Sequence, residues 1–510
     1  PNRIFLHYIG QVLPALGETA AVLATPGQLY PGVEATAWEP ADVAAIKGRI
    51  GMADVIARAV RARQRVPASP RQLDVAGTTI ALTPDMVTTA RDRARASRRP
   101  HNVARRTFAL TLLDALARAL AEARNVDFEG HRDVLIEDLR ESRDVRREVN
   151  LAWMPVTPEQ LVADLFADPA RLADATPRWT AEDRMLLQRP REAAWTPADV
   201  PLLDEAAELL GVEDEAERQA RARADAERRA EQEYAQSVLE MTGTRGVSAE
   251  QLLSRYAGPR EVLSVAERAA EDREWVYGHI VVDEAQELSP MSWRLLARRC
   301  PSLSMTVVGD LDQTASASGA QDWASALKGI TTSRHRTDQR WRVERLTVNY
   351  RTPRPIMDLA RQVLLACGRE PSPVESIRDG ADPVIISMPE PGAIVDSVKA
   401  LAEAGDAGRV AVIAAPSMAH SVEQSLRAVL PTGMVGHGDD RLEAPVSVLT
   451  VAQAKGLEFD DVVVLEPDLI DAESHRRGTD LYVALTRATR TLTIAYTGER
   501  PRCLADMFTP

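Results

Sequence analysis

Two carboxylates directly follow a short β-branched run in Ile280-Val281-Val282-Asp283-Glu284-Ala285-Gln286. A buried strand of a parallel sheet offers its C-terminal end to ligands, so both acids would stand where a ligand binds. There Asp283 can hold a nucleotide-bound Mg²⁺, and Glu284 can orient and deprotonate an attacking water. Two acids at a strand end are common, and alone they decide nothing. A second such strand follows at Val307-Val308-Gly309-Asp310-Leu311-Asp312-Gln313. Its glycine lets the chain turn close to phosphates, and Gln313 can sense a terminal phosphate. Downstream, Leu346-Thr347-Val348-Asn349-Tyr350-Arg351-Thr352-Pro353 supplies a candidate arginine finger, Arg351, and a candidate adenine platform, Tyr350. Thr450-Val451-Ala452-Gln453-Ala454-Lys455-Gly456-Leu457-Glu458-Phe459 comes next. Last is Leu481-Tyr482-Val483-Ala484-Leu485-Thr486-Arg487-Ala488, with Arg487 a second candidate finger. Guanidinium groups spread charge over transferring phosphoryl oxygens. Any one segment could be chance; all five in this order are not expected by coincidence.

Such residues need strands and helices to hold them. From residue 277 onward, short apolar runs alternate with helical segments. The runs are residues 279–282, 305–308, 410–414, 446–450, 462–465 and 492–496. Near-continuous apolar strands separated by helices predict parallel sheets covered on both faces. There is room for two, divided near residues 325–345. Upstream, Val22-Leu23-Ala24 is expected to form a strand, residues 46–64 one helix with Ile46, Ile50, Val55, Ile56 and Val60 on its apolar face, and residues 75–82 a hairpin or edge strand. Residues 83–204 are helix-coded. Thr83-Pro84-Asp85 opens a helix, residues 108–124 are amphipathic with Leu110, Leu113, Ala117 and Leu120 on one face, and Thr157 and Thr180 are N-caps. Residues 212–241 are expected to form a long exposed helix preceded by an acidic corner.

The chain has 510 residues, enough for three or four domains. It is 45% hydrophobic and 27% charged, an ordinary globular composition. No run is long and apolar enough to span a membrane, and no signal peptide is visible. Cys300, Cys367 and Cys503 lack metal-ligand spacing and are expected to be reduced thiols, which implies a cytoplasmic location. The net charge of −13 argues against a protein that holds nucleic acid mainly through phosphates, and for a protein partner.

The five segments resemble those of superfamily 1 helicases of the UvrD/Rep/PcrA group. The resemblance implies an α/β fold of two RecA-like P-loop lobes that hydrolyse ATP with Mg²⁺ between them. It assigns catalytic roles to Glu284, Gln313, Arg351 and Arg487, the metal to Asp283, and nucleotide contacts to Tyr350, Gly456 and Glu458. Three departures are informative. No Gly-x-x-x-x-Gly-Lys-Ser/Thr phosphate loop occurs in the 510 residues. It is expected just upstream of Pro1, and without it this segment alone is expected to turn over ATP negligibly. Ala452 stands where the family usually has His. The interval between Arg351 and Val446 is too short to hold an accessory domain beside the second lobe.

PNRIFLHYIGQVLP at residues 1–14, WTPADVPLLDE at 195–205 and LSPMSWR at 288–294 resemble HelD proteins of the actinobacterial type. These are RNA polymerase-associated, helicase-like ATPases. The resemblance implies a first lobe at residues 1–82 and 271–340, a mainly helical insertion at 83–270, and a second lobe at 341–510. It implies a factor that binds RNA polymerase core through the insertion and releases nucleic acid or recycles the stalled enzyme. One copy is expected per complex, and nucleic acid would be touched weakly or indirectly. A link to rifamycin resistance follows from the resemblance alone. Glu213, Asp214, Glu215 and Glu217 in the acidic corner have two readings: a solvated helix start, or a loop approaching the polymerase active site. The alternative function is a UvrD-like repair helicase or translocase.

Overall fold

The computed structural model describes residues 21–211, 268–269, 271–314, 316, 318–320, 322–331, 341–388, 394–403, 408–437, 444–474 and 477–501. The acidic corner, the expected helix at 212–241, Cys503 and the segment at 1–14 lie outside them. Two compact units form. One gathers residues 21–29 and Trp38–Ile50 with the described residues of Asp272–Pro510, the other Tyr30–Ala37 with those of Gly51–Glu271.

Helix α1 (Ala41–Gly48) belongs to the first unit, and α2 (Met52–Arg61) to the second. The single helix expected over residues 46–64 is thus broken. Arg49 is extended, and Gly51 caps the next helix. Ile50 falls in the break and is exposed, not part of an apolar face. Residues 21–25 form no regular element. A three-residue apolar run gains strand geometry only from a neighbour to bond with, and none is present among the described residues.

In the second unit, strands β1 (Arg71–Val75) and β2 (Thr78–Leu82) pair antiparallel around Ala76 and Gly77, both with positive φ. That is the backbone a two-residue hairpin turn requires. Leu73, Val75, Ile80 and Leu82 are buried at period two. Helix α3 (Pro84–Ala96) starts where Thr83 Oγ accepts the Met86 amide at 3.3 Å. Helix α4 (His101–Arg124) buries Phe108, Leu112, Leu116 and Leu120 against the hairpin. Leu113 and Ala117 are buried as expected, but Leu110 is exposed. It lies on the far side of the stripe set by Phe108, Leu112 and Leu116. The hairpin, placed by its position in the chain with the first lobe, therefore shares its core with this helical unit.

Helices α5 (Phe128–Glu141) and α6 (Arg143–Ala152) follow, then α7 (Pro158–Ala167), α8 (Pro169–Ala175), α9 (Ala181–Leu187) and α10 (Val200–Leu210). Thr157 and Gln160 form a reciprocal capping box, and Thr180 Oγ accepts the Asp183 amide at 3.1 Å. Such caps satisfy otherwise orphaned amides.

His101 opens α4 and is buried, stacked on Trp153 with ring centroids 5.1 Å apart. Burial holds its imidazole below the ordinary value, against a hydrogen bond with the Met154 carbonyl. The native state therefore keeps His101 neutral while the unfolded chain protonates near pH 6.5, roughly. Its contribution is complete above that value and is lost as pH falls toward the depressed native pKa. Melting temperature should fall more steeply as pH drops below about 6.5 for wild type than for His101→Gln. Parallel slopes for the two proteins would show that His101 is not the group responsible.

In the first unit, β3 (Ile280–Val282) and β4 (Met305–Val307) pair in parallel, flanked by α11 (Pro290–Arg299) and α12 (Trp323–Thr331). A Cβ on Gly48 of α1 would lie 2.7 Å from Ser289 Cβ, so only glycine allows that approach. Strand β5 (Val348–Asn349) pairs with β6 (Glu375–Ser376) beside α13 (Arg354–Ala366). Then come β7 (Val384–Met388), α14 (Ile394–Glu403), β8 (Val410–Ile413), α15 (Pro416–Val429), β9 (Val446–Leu449), α16 (Val451–Ala454), β10 (Phe459–Leu465), α17 (Pro467–Glu473), α18 (Thr479–Leu485) and β11 (Ala488–Thr497).

Five of these strands form one parallel sheet, in order β7-β11-β10-β8-β9. Successive residues feed opposite faces. Ala411, Ile413, Leu449, Val462 and Val464 join a core with Ile356, Val363 and Leu485. Val410, Val412, Val448, Val463 and Leu465 join another with Val398, Val422 and Leu426. Burial on both faces explains the continuous apolar runs. The described residues between Arg351 and Val446 are occupied by α13, β6, β7, α14, β8 and α15. The fold is mixed α/β. Among the described residues no helix is long and apolar enough to cross a membrane, and Cys300 and Cys367 are free thiols.

Candidate nucleotide-hydrolysis site

Strand β3 delivers Asp283 and Glu284 at its C-terminal end. Glu284 has φ +51°, a left-handed conformation uncommon outside glycine. The turn is held from both sides. The Val308 amide donates to the Val282 carbonyl at 2.8 Å, and the Ala285 amide to the Val308 carbonyl at 3.0 Å. Asp283 Oδ1 accepts the Glu284 amide at 2.9 Å.

Gln286 is fully buried and links the two acidic turns. Its Nε2 donates to Glu284 Oε2 at 2.6 Å, and its Oε1 accepts the Asp310 amide at 3.0 Å. A Cβ on Gly309 would lie 2.4 Å from that Oε1 and 2.8 Å from the Trp323 ring. Gly309 has no positive φ, so the glycine is needed here to admit Gln286 and Trp323.

Asp310 takes the amide of Asp312 on Oδ1 and Gln313 Nε2 on Oδ2, at 3.0 and 2.8 Å. Burial pushes its carboxyl above the ordinary range, and the Gln313 bond opposes that. Gln313 Oε1 then accepts Arg487 Nη2 at 3.0 Å. Arg487 is buried and also donates to the carbonyls of Val483 at 3.1 Å and Leu457 at 3.2 Å. Its guanidinium is held below its ordinary value first by burial. Glu284 and Glu458 oppose that shift and Arg351 reinforces it, so these four charges share one neighbourhood.

Arg351 forms an ion pair with Glu458. Asn349 Oδ1 accepts the amides of Arg351 and Thr352, at 2.9 and 3.2 Å, and so fixes the turn that presents Arg351. Thr352 Oγ donates to the Thr486 carbonyl at 3.4 Å, which sets the segments of Arg351 and Arg487 side by side. Tyr350 is 70% exposed, an open ring face. Gly456, at φ +79°, turns the chain between Lys455 and Glu458.

The structure thus brings Glu284, Gln313, Arg351, Glu458 and Arg487 into one neighbourhood, with Asp283 beside Glu284. It adds residues to which the sequence reading gave no role. Besides Gln286 and Asp310, Lys455 Nζ donates to Glu287 Oε1 at 2.6 Å and to the Gln313 carbonyl. Asp312 Oδ2 accepts the Ser372 amide at 2.7 Å. The turn at residues 310–313 is therefore tied to three segments that follow β4. The DEAQ and KGLEF strings contain Gln286 and Lys455, but nothing local marks their distant partners.

Carboxylates at a strand end and converging guanidiniums are a donor set that suits Mg²⁺ and phosphate. No group of three His, Cys, Asp or Glu forms a metal cage among the described residues. A nucleotide-bound Mg²⁺ needs none: one or two carboxylates suffice, with phosphate and water completing the octahedron. Asp283 fits that part.

Residues 187–315 match the UvrD/REP helicase N-terminal domain, and residues 445–495 the UvrD-like helicase C-terminal domain. Two segments of the chain are thus similar to the N- and C-terminal domains of UvrD-type helicases. The first match contains Asp283, Glu284 and Gln313; the second contains Gly456, Glu458 and Arg487. Helicase-like domains of this type depend on nucleotide and Mg²⁺ in general. The C-terminal domain of a possible DNA helicase from Lactobacillus plantarum is 26% identical over 31% of this chain and 94% of its own, with a TM-score of 0.26. No curated protein matches the chain.

Proposed function

We propose that this chain forms the body of an ATP-hydrolysing motor with two RecA-like lobes. The observation that carries this is Gln313, bonded at once to Asp310 and to Arg487. A residue placed to feel a terminal phosphate there bears on both a strand-end carboxylate and a buried guanidinium. When bound, ATP with Mg²⁺ supplies the phosphoanhydride and a cation that neutralises developing charge. Asp283 would hold the cation. The Glu284 carboxylate, oriented by Gln286, would take a proton from the attacking water. Arg351 and Arg487 would face the transferring group, and Tyr350 would carry the base.

We further propose that the motor works on RNA polymerase, releasing nucleic acid from the stalled enzyme or recycling it. The resemblance to HelD proteins supports this, as does the net charge of −13. Within it, α10 is almost wholly buried, so the match over residues 195–205 reflects packing more than partner contact. The partner surface is then expected elsewhere in residues 83–270, the acidic corner included. A protein interface can persist at moderate salt through apolar anchors and shape.

The test uses the full-length protein and purified polymerase core at about 0.15 M salt, where the Debye length is near 8 Å. Stable capture of polymerase is the expected result. Tight single-stranded DNA binding without capture would replace this reading by a repair helicase.

A further inference from the structure

We infer that the arginine-rich turn joining α3 to α4 is a docking surface for the phosphate backbone of a nucleic-acid duplex. Residues 90–106 hold seven arginines and a single acid, Asp92, in a chain whose net charge is −13. Positive charge is therefore concentrated along this stretch, against the composition of the whole.

The arginines divide into two groups by what they touch. Arg95 Nε donates to Gln64 Oε1 at 2.7 Å, and Gln64 Nε2 meets His101 Nδ1 at 3.2 Å. Arg105 Nε donates to the Trp153 carbonyl at 3.1 Å and Arg91 Nε pairs with Asp92 at 3.1 Å. Arg95 and Arg105 fix the turn to the buried His101–Trp153 stack. Arg93, Arg98, Arg99 and Arg106 are exposed and make no ion pair among the described residues. A rigid platform thus presents four guanidiniums to solvent.

Helix-dipole effects account for only part of this. Cations in the last turn of α3, such as Arg93 and Arg95, suit its C-terminal carbonyls. Arg98 to Arg106 stand instead at the start of α4, whose first turn holds no acid. There the helix pole is positive and adds to their repulsion. Arg98 also sits at φ +53°, just past the α3 cap, where glycine is the usual and less strained residue. Arg95 feels the crowding: its guanidinium is lowered by burial and then by Arg91.

The chemistry of the patch selects the ligand. Arginine forks match phosphate oxygens. Residues 90–106 contain no exposed large apolar side chain to seed a protein hot spot. Their one ring, His101, is buried, so no base can stack as single-strand binding needs. A sequence-independent grip on a duplex backbone remains. This surface does not depend on the ATPase reading.

The test titrates a labelled duplex of about 25 base pairs, long enough to cover the turn several times over, into the full-length protein at several salt concentrations. The same measurement uses the Arg93→Gln/Arg98→Gln/Arg99→Gln/Arg106→Gln variant and a single strand of equal length. Wild type should bind in the micromolar range typical of non-specific contacts, with preference for duplex. The variant should bind at least about tenfold more weakly, and its log–log salt slope should be smaller by about 3 to 4. An unchanged melting temperature establishes that the variant is folded. Should it not fold, Arg99→Gln/Arg106→Gln must still reduce the slope by about 2. Equal duplex affinity and slope in variant and wild type overturns the inference. So does a wild-type preference for single strand, or loss of polymerase capture with duplex binding intact.

Discussion

Glu284→Gln in the full-length protein should abolish steady-state ATP turnover while leaving nucleotide affinity within a few-fold. The variant removes one negative charge and the carboxylate proposed to accept the proton of an attacking water. General-base removal costs about 10²–10⁴ in rate. The fold should survive for a specific reason. Gln286 Nε2 donates to Glu284 Oε2, and an amide oxygen can accept that bond equally well. The left-handed backbone at position 284 penalises Glu and Gln alike. Melting temperature should accordingly move little. Nucleotide binding, read by a fluorescent analogue, and turnover, read by phosphate release, must separate. Turnover within threefold of wild type would remove Glu284 from the proposed role.

Arg487→Ala should lower turnover further, by about 10³–10⁵, the range for loss of an arginine finger. Unlike Glu284→Gln, it should also destabilise the protein. Arg487 is buried and donates to two backbone carbonyls and to Gln313. Each acceptor left unsatisfied costs about 1–3 kcal/mol. Arg351→Ala is the matched comparison. Its side chain is 60% exposed and pairs with a half-buried Glu458. An exposed pair contributes only about 0–1 kcal/mol, so Arg351→Ala should lose turnover with little change in melting temperature. If Arg487→Ala destabilised the protein but kept wild-type turnover, Arg487 would be a structural tie between segments and no finger.

Much of the scaffold is determined by local sequence. Residues that alternate between two cores, as in β8 and β10, must be apolar at every position, so those strands announce themselves as unbroken runs. Carboxylates that follow a short apolar run fall at a strand's C-terminal edge without any knowledge of neighbours, although β3 itself is not buried on both faces: Val281 is exposed. Capping at Thr83, Thr157 and Thr180 is equally local, because each cap bonds an amide three residues away. The candidate site was legible as a set of candidates: Glu284, Gln313, Arg351 and Arg487 stand in the segments that carry the helicase resemblance, and their roles remain those proposed above.

What only the tertiary structure decided is how these groups are connected. Lys455 reaches Glu287 across 168 residues, and Arg487 reaches Gln313 across 174. Polar contacts at that separation leave no periodic trace, since the chain between them can take any path. Gln286 is invisible for the same reason: its importance lies in two turns that meet only when β3 and β4 pair. Gly309 likewise owes its identity to the Gln286 amide and the Trp323 ring, neither of them near it in sequence. Periodicity also fails where the chain bends. Residues 46–64 carry one helical pattern, yet Arg49 is extended and the two halves enter different units. A repeat of 3.6 residues describes a face, and only packing against a core decides how long that face continues.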